Sequence, residues 1–520
     1  HVDLQGARIL TDFDIVAEAG PSTALVKSFD VSVTGGAVTL TLTSKVVEAE
    51  IAAVEILPAG EPHLATTAAA SCGPSDGVCP ASCTYAKDAD CPPADCAYGP
   101  VSSACTCGST VVTTGYCCSG TPQGTSCSAL VPAFYVSPTG DDANAGTFAA
   151  PFGTLEKARD AARASATVKT VYLLGGVYAR TATLELGGAD AGESWLAYPG
   201  QTPILEGGSA TQNAIVVNGD DITIRWLTFQ NFVTNTIFVG WGDARRVVID
   251  SNTIRNTISD AWVQAAIYLC CGQHTDAKIT HNLVDGANYI GIHAGASASS
   301  NGSITGVTIS HNQVSNTCRT VADCGAIYVW DIQHLATNIT IDNNVVQDFA
   351  SATSRERGIY LDDETSNVTA RNNIIYGYGQ WSFQIHGGDH NVFTNNIFDV
   401  SKAVRLGLYQ DDGGANPNYG MAANTVSCNI VYSNAAPPDT LWDKYGSLPV
   451  ALPTVSENLY WGAAGALPNT APIVDSSPHV ADPGFVNPAA ADYRFSGANP
   501  GAFCGFQPID VSQVGPLPNL

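Results

Sequence analysis

The sequence predicts an all-β solenoid, a right-handed parallel β-helix. Three observations carry that expectation: a repeat, an alternation and a recurrent asparagine. Six segments stack under one another: AIYLCCGQH (266–274), GIHAGASAS (291–299), AIYVWDIQH (326–334), GIYLDDETS (358–366), SFQIHGGDH (382–390) and AVRLGLYQD (403–411). Their starts lie 21 to 35 residues apart, a period that reads as stacked supersecondary units with loops of variable length. Each segment is β-branched or aromatic, alternates with period two and is bounded by Gly, Asn or Asp, so the unit is built of strands. A second segment ending in asparagine follows each one (KITHN, VTISHN, ITIDNN, VTARNN, VFTNN, TVSCN).

Alternation assigns faces, because successive strand side chains point to opposite sides. The second and fourth columns are aliphatic or Phe and point inward. The third column then points outward and reads Tyr268, His293, Tyr328, Tyr360, Gln384, Arg405. The fifth reads Cys270, Gly295, Trp330, Asp362, His386, Gly407. Aromatic, imidazole and carboxylate groups on rungs about 4.8 Å apart suit a sugar-binding trough with reactive groups at its centre. The asparagines Asn252, Asn282, Asn312, Asn344, Asn373 and Asn396 are expected to stack as a ladder at a bend, each amide bonding its neighbours.

Taken in order, residues 1–58 form a small β module (DVSVTGGAVTLTLTS, EAEIAAVEILP), 59–71 a linker, 72–130 a cysteine-rich module and 131–520 the solenoid. Ten of the 16 cysteines fall between Cys72 and Cys127 among Gly, Ser, Pro and Asp, which reads as a disulfide framework in an oxidising, extracellular setting, with cell surface or periplasm as variants. Zinc is the weaker reading because paired C-x-x-C spacing is missing. Cys318 and Cys324 are expected to pair. The solenoid opens with a strand at Phe134 and a helix over Leu155–Ala164 that plugs the coil, since an open rung exposes a strand edge and an apolar core. ENLYW (457–461) adds a late rung, and the Pro-rich tail closes over the coil.

Composition limits the partners. The chain holds 45% hydrophobic and only 13% charged residues, with 22 Lys+Arg against 47 Asp+Glu and a formal net charge of −25. Nucleic acid and anionic membrane surfaces are disfavoured, and no stretch reaches the roughly 18 apolar residues of a membrane span. A polysaccharide or oligosaccharide is the expected partner. Asp76, Asp88 and Asp90 offer a structural calcium site, with solvated loop carboxylates as the leading reading; the expected chemistry requires no cofactor.

Two stretches carry resemblances. LTDFDIVAEAGPSTALVKSFDVSVTGGAVTLTL resembles the C-terminal half of malectin-like carbohydrate-binding domains, implying a partial module of that kind. YVSPTGDDANAGTFAAPFGTLEKARDAAR, DCGAIYV, RGIYLDDETSNVTARNNIIY, FQIHGGDHNVFTNNIF and the tail motifs DPGFVNP, DYRFS and GFQPIDVSQVGP resemble secreted right-handed β-helix glycoside hydrolases of fucosidase, xylanase and xylosidase type. This resemblance spans about residues 135–515 and implies that Asp323 and Asp362, in its D-x-G-A-I-Y and Y-L-D-D phrases, are the catalytic acids.

The residues themselves offer a matching constellation. Glycosidic hydrolysis uses two carboxyl groups, about 5–5.5 Å apart for retention or about 6.5–9.5 Å for inversion. Asp362 lies in an outward column, Asp331 one rung earlier above Asp363, and Asp323 before that rung's strand. Two carboxylates one rung apart repel, which raises one pKa and leaves an acid. His386, one rung on from Asp362, donates to a hydroxyl or serves as acid or base. Tyr328, Tyr360 and Trp330 are expected to stack on sugar faces, Gln384 and Arg405 to bond hydroxyls or a carboxylate, and His293 to mark the upstream end; Asp363 flanks Asp362 as a further substrate contact, and Glu356 and Arg357, in the loop before the Asp362 strand, form one rim.

Hydrolysis leads these expectations. A polysaccharide lyase or uronate epimerase is the first alternative, disfavoured by the acidic chain and the single arginine in the outward columns. A non-catalytic glycan-binding or structural surface or filament protein is the second.

Overall fold

The computed structural model describes most of residues 132–519, with gaps at 259–263, 297–301, 332–335, 350–354, 403, 411–420, 422, 436–439, 447–451, 463–466 and 468–472, and short strands between Val2 and Gln123. Two compact units divide the chain, the first essentially residues 1–95 and the second continuing to the C-terminus. In the first, Val2–Leu4 pairs antiparallel with Ala7–Leu10 and with Leu40–Leu42. Beyond those strands, the malectin-like module, the linker, most of the cysteine-rich module and its calcium aspartates lie outside the described residues.

The second unit is a parallel β-helix. Each coil contributes a strand to sheet 1, turns, contributes one to sheet 2 and, after a loop, one to sheet 3; Val248–Asp250, Thr253–Thr257 and Ala265–Cys270 are one such coil. Sheets 1 and 2 each hold 12 strands and sheet 3 holds 10. Their neighbours pair in parallel, residue for residue, as in Val248↔Lys278 and Ile249↔Ile279. The aliphatic and Phe positions of all three sheets merge into one buried core. Sheet 3 comprises β1 (Leu184–Leu186), β2 (Ile215–Val217), β3 (Ile237–Val239), β4 (Ala265–Cys270), β5 (Ile290–Ala296), β6 (Cys324–Asp331), β7 (Glu356–Asp362), β8 (Trp381–His386), β9 (Arg405–Gln410) and β10 (Trp442–Gly446).

The asparagine ladder forms between sheets 1 and 2. Asn252 Nδ2 donates to Asn282 Oδ1 (3.0 Å), Asn282 to Asn312 (3.0 Å), Asn312 to Asn344 (3.0 Å), Asn344 to Asn373 (3.0 Å) and Asn373 to Asn396 (3.0 Å). It runs beyond the expected six through Asn429 and Asn458 and ends on Asp475 Oδ2. Each amide also caps a backbone carbonyl of the preceding coil, as Asn312 Nδ2 does with Ile279 O (2.8 Å). The residue before each ladder asparagine is left-handed, with φ between 55° and 58° at Ser251, His281, His311, Asn343, Asn372, Asn395, Cys428 and Glu457. Small or polar residues tolerate that backbone best, which is why the bend is written with Ser, His and Asn.

The coil carries a helix near its start and a returning tail at its end. The helix α1 spans Leu155–Ala164, capped by the Thr154 hydroxyl accepting from Lys157 N–H, with Leu155, Ala158 and Ala162 buried. The strand Leu459–Gly462 adds a late rung on Ile430–Ser433. The tail then runs back along the flank. Cys504 is bonded to Cys428, Tyr493 donates to Asp399 (2.8 Å), Gly515 N–H reaches His311 O (2.9 Å) and Gly200 N–H reaches Asn519 O (2.8 Å).

Candidate functional site

Register brings the central residues of the predicted site together on the outer side of sheet 3. Cys270, Gly295, Trp330 and Asp362 are successive partners along β4–β7, and pairing of Leu361 with Ile385 sets His386 beside Asp362. A second column runs Phe238, Tyr268, His293, Tyr328, Tyr360, Gln384. Its rings stack: Tyr268 on His293 at 4.5 Å, His293 on Tyr328 at 4.8 Å and Tyr328 on Tyr360 at 4.7 Å between centroids.

That second column is not the open sugar platform the sequence suggests. It forms a buried cluster of its own with Tyr289, Ile290 and the Cys318–Cys324 loop, and His293 and Gln384 are fully buried. The column does point away from the coil core, but the loop that carries Cys318 and Val321, between the sheet 2 strand Gln313–Ser315 and β6, packs over it. Period two reports the direction of a side chain and nothing about what a loop places on top of it.

Asp362 is the hub. Its Oδ1 lies 2.6 Å from His386 Nδ1 and accepts from Asp363 N–H at 3.0 Å; Tyr328 and Tyr360 donate their hydroxyls to the same carboxylate. Burial pushes this carboxyl up, but the His386 hydrogen bond and charge and the two phenols outweigh it and hold Asp362 below the usual carboxylate range. Burial, and then the Asp362 charge, push both phenols well above their ordinary value, so they remain donors. Asp362 and His386 are nearly buried, at 7% and 4% exposure. Asp363 is more open and accepts from Trp330 Nε1 at 2.8 Å; Trp330 itself is half-buried.

A second polar group lies behind Tyr360. The Arg357 guanidinium stacks on Tyr360 at 4.0 Å and on Trp381 at 4.9 Å, donates to Gln384 Oε1 at 2.8 Å and pairs with Asp323 at 2.6 Å. It is buried, as is Glu356, so neither forms an open rim. Both sit inside β7 rather than in the loop before it.

Two predicted residues are placed elsewhere. Asp331 is fully buried in register with the core residue Ala296, and its Oδ2 accepts from Ala336 N–H at 2.9 Å. As the sixth residue of its segment it alternates to the inward side and serves the turn there. Arg405 pairs with Trp381 and its Nη1 lies 3.1 Å from Asp443; Gly407 is the residue opposite Gln384, and Tyr409 the one opposite His386. The observed register sets β9 two residues away from the aligned one, and a one-residue irregularity separates the Trp381 and Phe383 pairings. Two-residue slips preserve facing, and Val404, Leu406 and Leu408 are buried in this register, so the hydrophobic pattern alone did not choose it.

Trp381 and Asp443 were missed by sequence reasoning. Trp381 stands just before the aligned segment SFQIH, and Asp443 lies in LWDKYG, whose alternation signals a further strand. Also unanticipated is the disulfide between adjacent Cys270 and Cys271, two rungs before Trp330.

Asp362, Asp363 and His386 each bring one donor atom within 4.8 Å of the others. Calcium takes six to eight oxygens, so this nitrogen-containing trio does not fit a calcium site, whereas the 2.6 Å contact suits a hydrogen-bonded carboxylate and imidazole. In a neutral imidazole the Asp362 carboxylate would hold the proton on Nδ1 and leave the lone pair on Nε2, the arrangement that orients a histidine for proton transfer.

Comparison with known proteins bears on the fold. Residues 213–398 match the family of the right handed beta helix region. The coil is a right-handed parallel β-helix. No curated protein matches the sequence. Among solved structures, the chain is similar to XylC with xylose (9% identity, 68% of this chain and 87% of that one, TM-score 0.40). It is also similar to the mannuronan C-5 epimerase AlgE4 A-module of Azotobacter vinelandii (16%, 62% and 94%, 0.41) and to the Streptococcus pneumoniae surface protein and adhesin PfbA (11%, 63% and 92%, 0.45). The functional reading rests on the geometry of the site.

Proposed function

We propose that this protein is a carbohydrate-active enzyme that acts on a polysaccharide through proton transfer at His386, most simply abstraction of the proton α to a uronate carboxylate. The observation that carries the reading is the buried Asp362–His386 pair, 2.6 Å apart, with two tyrosine hydroxyls holding the carboxylate. An imidazole oriented by a carboxylate serves as a general base once substrate comes within hydrogen-bond reach. In elimination, His386 Nε2 takes the C5 proton, a C4–C5 double bond forms, and the C4–O bond breaks as the departing oxygen gains a proton. In C5 epimerisation the same first step is followed by return of a proton to the opposite face.

The placement of the residues that suggested a carboxylate pair supports this reading over hydrolysis. Asp331 lies on the core side, Asp323 is engaged by Arg357, and Asp362 is held as an anion rather than an acid. Hydrolysis remains the second reading on one observation: Asp363, with 28% of its side chain exposed, approaches His386 Nδ1 at 3.5 Å, so an imidazolium acid and a carboxylate would stand side by side. Glycan binding without turnover is the third outcome of the test below.

Three disulfides within the coil, Cys270–Cys271, Cys318–Cys324 and Cys428–Cys504, support an oxidising, extracellular setting. Among the described residues no helix is long and apolar enough to cross a membrane.

The test is incubation with a panel of uronate and neutral polysaccharides in deuterated water. Ultraviolet absorbance of an unsaturated uronate supports elimination, and deuterium at C5 without cleavage supports epimerisation. New reducing ends with neither signal overturn proton abstraction in favour of hydrolysis. Retention of a glycan with no turnover of any kind overturns the enzyme reading.

A further inference from the structure

Away from sheet 3, at the edge of sheet 2, an open cleft of about 660 Å³ is lined by Arg255, Asn256, Asp285, Gly286, Asn316, Arg319, Asp348 and Tyr378. Its volume lies within the roughly 300–1,000 Å³ of small-ligand pockets. Its charge pattern is unusual for this molecule. With 22 basic against 47 acidic residues, arginines along the coil are typically matched to carboxylates, as in Arg225–Asp250 and Arg246–Asp221. Arg255 and Arg319 have no ion-pair partner among the described residues, and both are exposed on the same cleft. The cleft's own acids are turned to other donors: Asp285 Oδ1 accepts from Asn316 Nδ2 (2.6 Å) and Ser315 Oγ (3.0 Å), and Asp348 from Tyr378 N–H (3.0 Å) and Gln347 Nε2 (3.1 Å).

The cleft is also built. Gly286 has φ of +84°, and a Cβ there would stand 3.0 Å from Arg319 Nη1 and 3.1 Å from Asn256 Oδ1, so the bare backbone makes room for the guanidinium. Arg319 Nη1 is in turn 3.4 Å from Asn256 Oδ1. On the opposite wall Tyr378 is 58% exposed, yet its backbone is tied at both groups, N–H to Asp348 Oδ1 and C=O to Phe349 N–H (2.8 Å). Gly377 before it has φ of +90° and leaves no space for a side chain against Asp348, 2.3 Å away. A large aromatic ring is thus held in solvent on a fixed backbone, with Lys402 Nζ over it at 5.0 Å.

We propose that this cleft is a second glycan-binding site, separate from the Asp362–His386 centre, that takes an anionic sugar unit carrying a carboxylate or a sulfate. Two guanidinium groups without a carboxylate partner among the described residues offer donors to an oxyanion. The Tyr378 ring supplies an apolar face for the sugar, and Asn256 and Asn316 supply amides for hydroxyls. The glycan identity of the ligand rests on the carbohydrate reading above; the oxyanion site rests on the cleft alone.

The experiment measures binding by the intact chain carrying His386→Ala, so that turnover plays no part, to three immobilised glycans: a polyuronate, a sulfated neutral glycan and an uncharged one. Added Arg255→Gln and Arg319→Gln should weaken retention of the anionic glycan at least tenfold, with the parental melting temperature kept because both side chains are exposed. Tyr378→Ala should weaken it as well, and raised salt should mimic the arginine changes. Preference for the polyuronate or for the sulfated glycan tells the two oxyanions apart. Unchanged retention in the double arginine variant overturns the site, and equal retention of the uncharged glycan overturns its oxyanion specificity. If the wild-type chain turns over no glycan while the arginine variants lose binding, the proposed reaction fails and this site stands.

Discussion

His386 Nδ1 lies 2.6 Å from Asp362 Oδ1, one rung away on the outer side of sheet 3. The carboxylate is nearly buried and held ionised by its donors, so the pair behaves as one unit. Asp362→Asn removes the charge that fixes the imidazole tautomer, and His386→Ala removes the base. Each is expected to lower kcat by about 10²–10⁴, and the double variant to lose little more than either single one. Steady-state kinetics on the preferred glycan check this, with circular dichroism showing that the coil persists.

Trp330 is the half-buried aromatic of the same column, tethered to Asp363 through its indole N–H. Trp330→Phe keeps the ring and loses the tether; Trp330→Ala loses both. The alanine variant is expected to raise KM on the order of tenfold, consistent with about 0.5–1.5 kcal/mol for an oriented aromatic contact, and the phenylalanine variant to fall between. A kcat loss with KM unchanged would assign Trp330 to positioning Asp363 instead.

His293 gives a pH signature. It is fully buried between two tyrosine rings, with neither ring nitrogen hydrogen-bonded among the described residues, and burial pushes its pKa down to about 3. The unfolded chain takes up this proton near pH 6.5 and the folded one only near 3. Stability therefore falls as pH drops below 6.5 and levels off below about 3, by at most about 1.4 kcal/mol per pH unit. His293→Phe should flatten that part of a urea-midpoint profile. Asp362 adds a second loss with the same sign at lower pH: its folded pKa is depressed, so its contribution is present above the ordinary carboxylate range and fades as pH falls through the folded value.

Asn312 sits mid-ladder. Its amide donates to Ile279 O and Asn344 Oδ1 and accepts from Asn282 N and Nδ2. Asn312→Ala leaves several buried groups without partners, at about 1–3 kcal/mol each, and is expected to destabilise the coil by roughly 3–5 kcal/mol. Chemical unfolding checks this. Asn312→Asp, which lacks the donating amine, should rescue little.

Much of this was legible in the sequence because a solenoid repeats its rules. The ladder and the column holding Trp330, Asp362 and His386 follow from aligned segments and period two, the Cys318–Cys324 pair from its six-residue spacing, and the helix Leu155–Ala164 from the stretch that precedes the repeats. The same alternation, carried one residue further, turns Asp331 inward. Two things were not legible. Burial of the Tyr268–Tyr360 column depends on loops that align with nothing, and the β8–β9 register lies two residues from the aligned one, a slip that preserves facing and so leaves no mark in the hydrophobic pattern. Arg357 looked like a loop cation, and only the partnership of Asp323, Gln384 and two aromatic faces explains its place inside a strand.

The returning tail has a consequence for how the molecule comes apart. A stack of coils touching only nearest neighbours can fray from either end, one turn at a time. Here the last residues lie against Asn395, then His311, then Ser251, and finally Tyr198 and Gly200, while Cys428–Cys504 anchors the start of that return path. Early and late turns are buttoned to one continuous ribbon, so losing one end means peeling a strip that also grips the middle. A zipper has become a hoop, and its melting should be correspondingly abrupt.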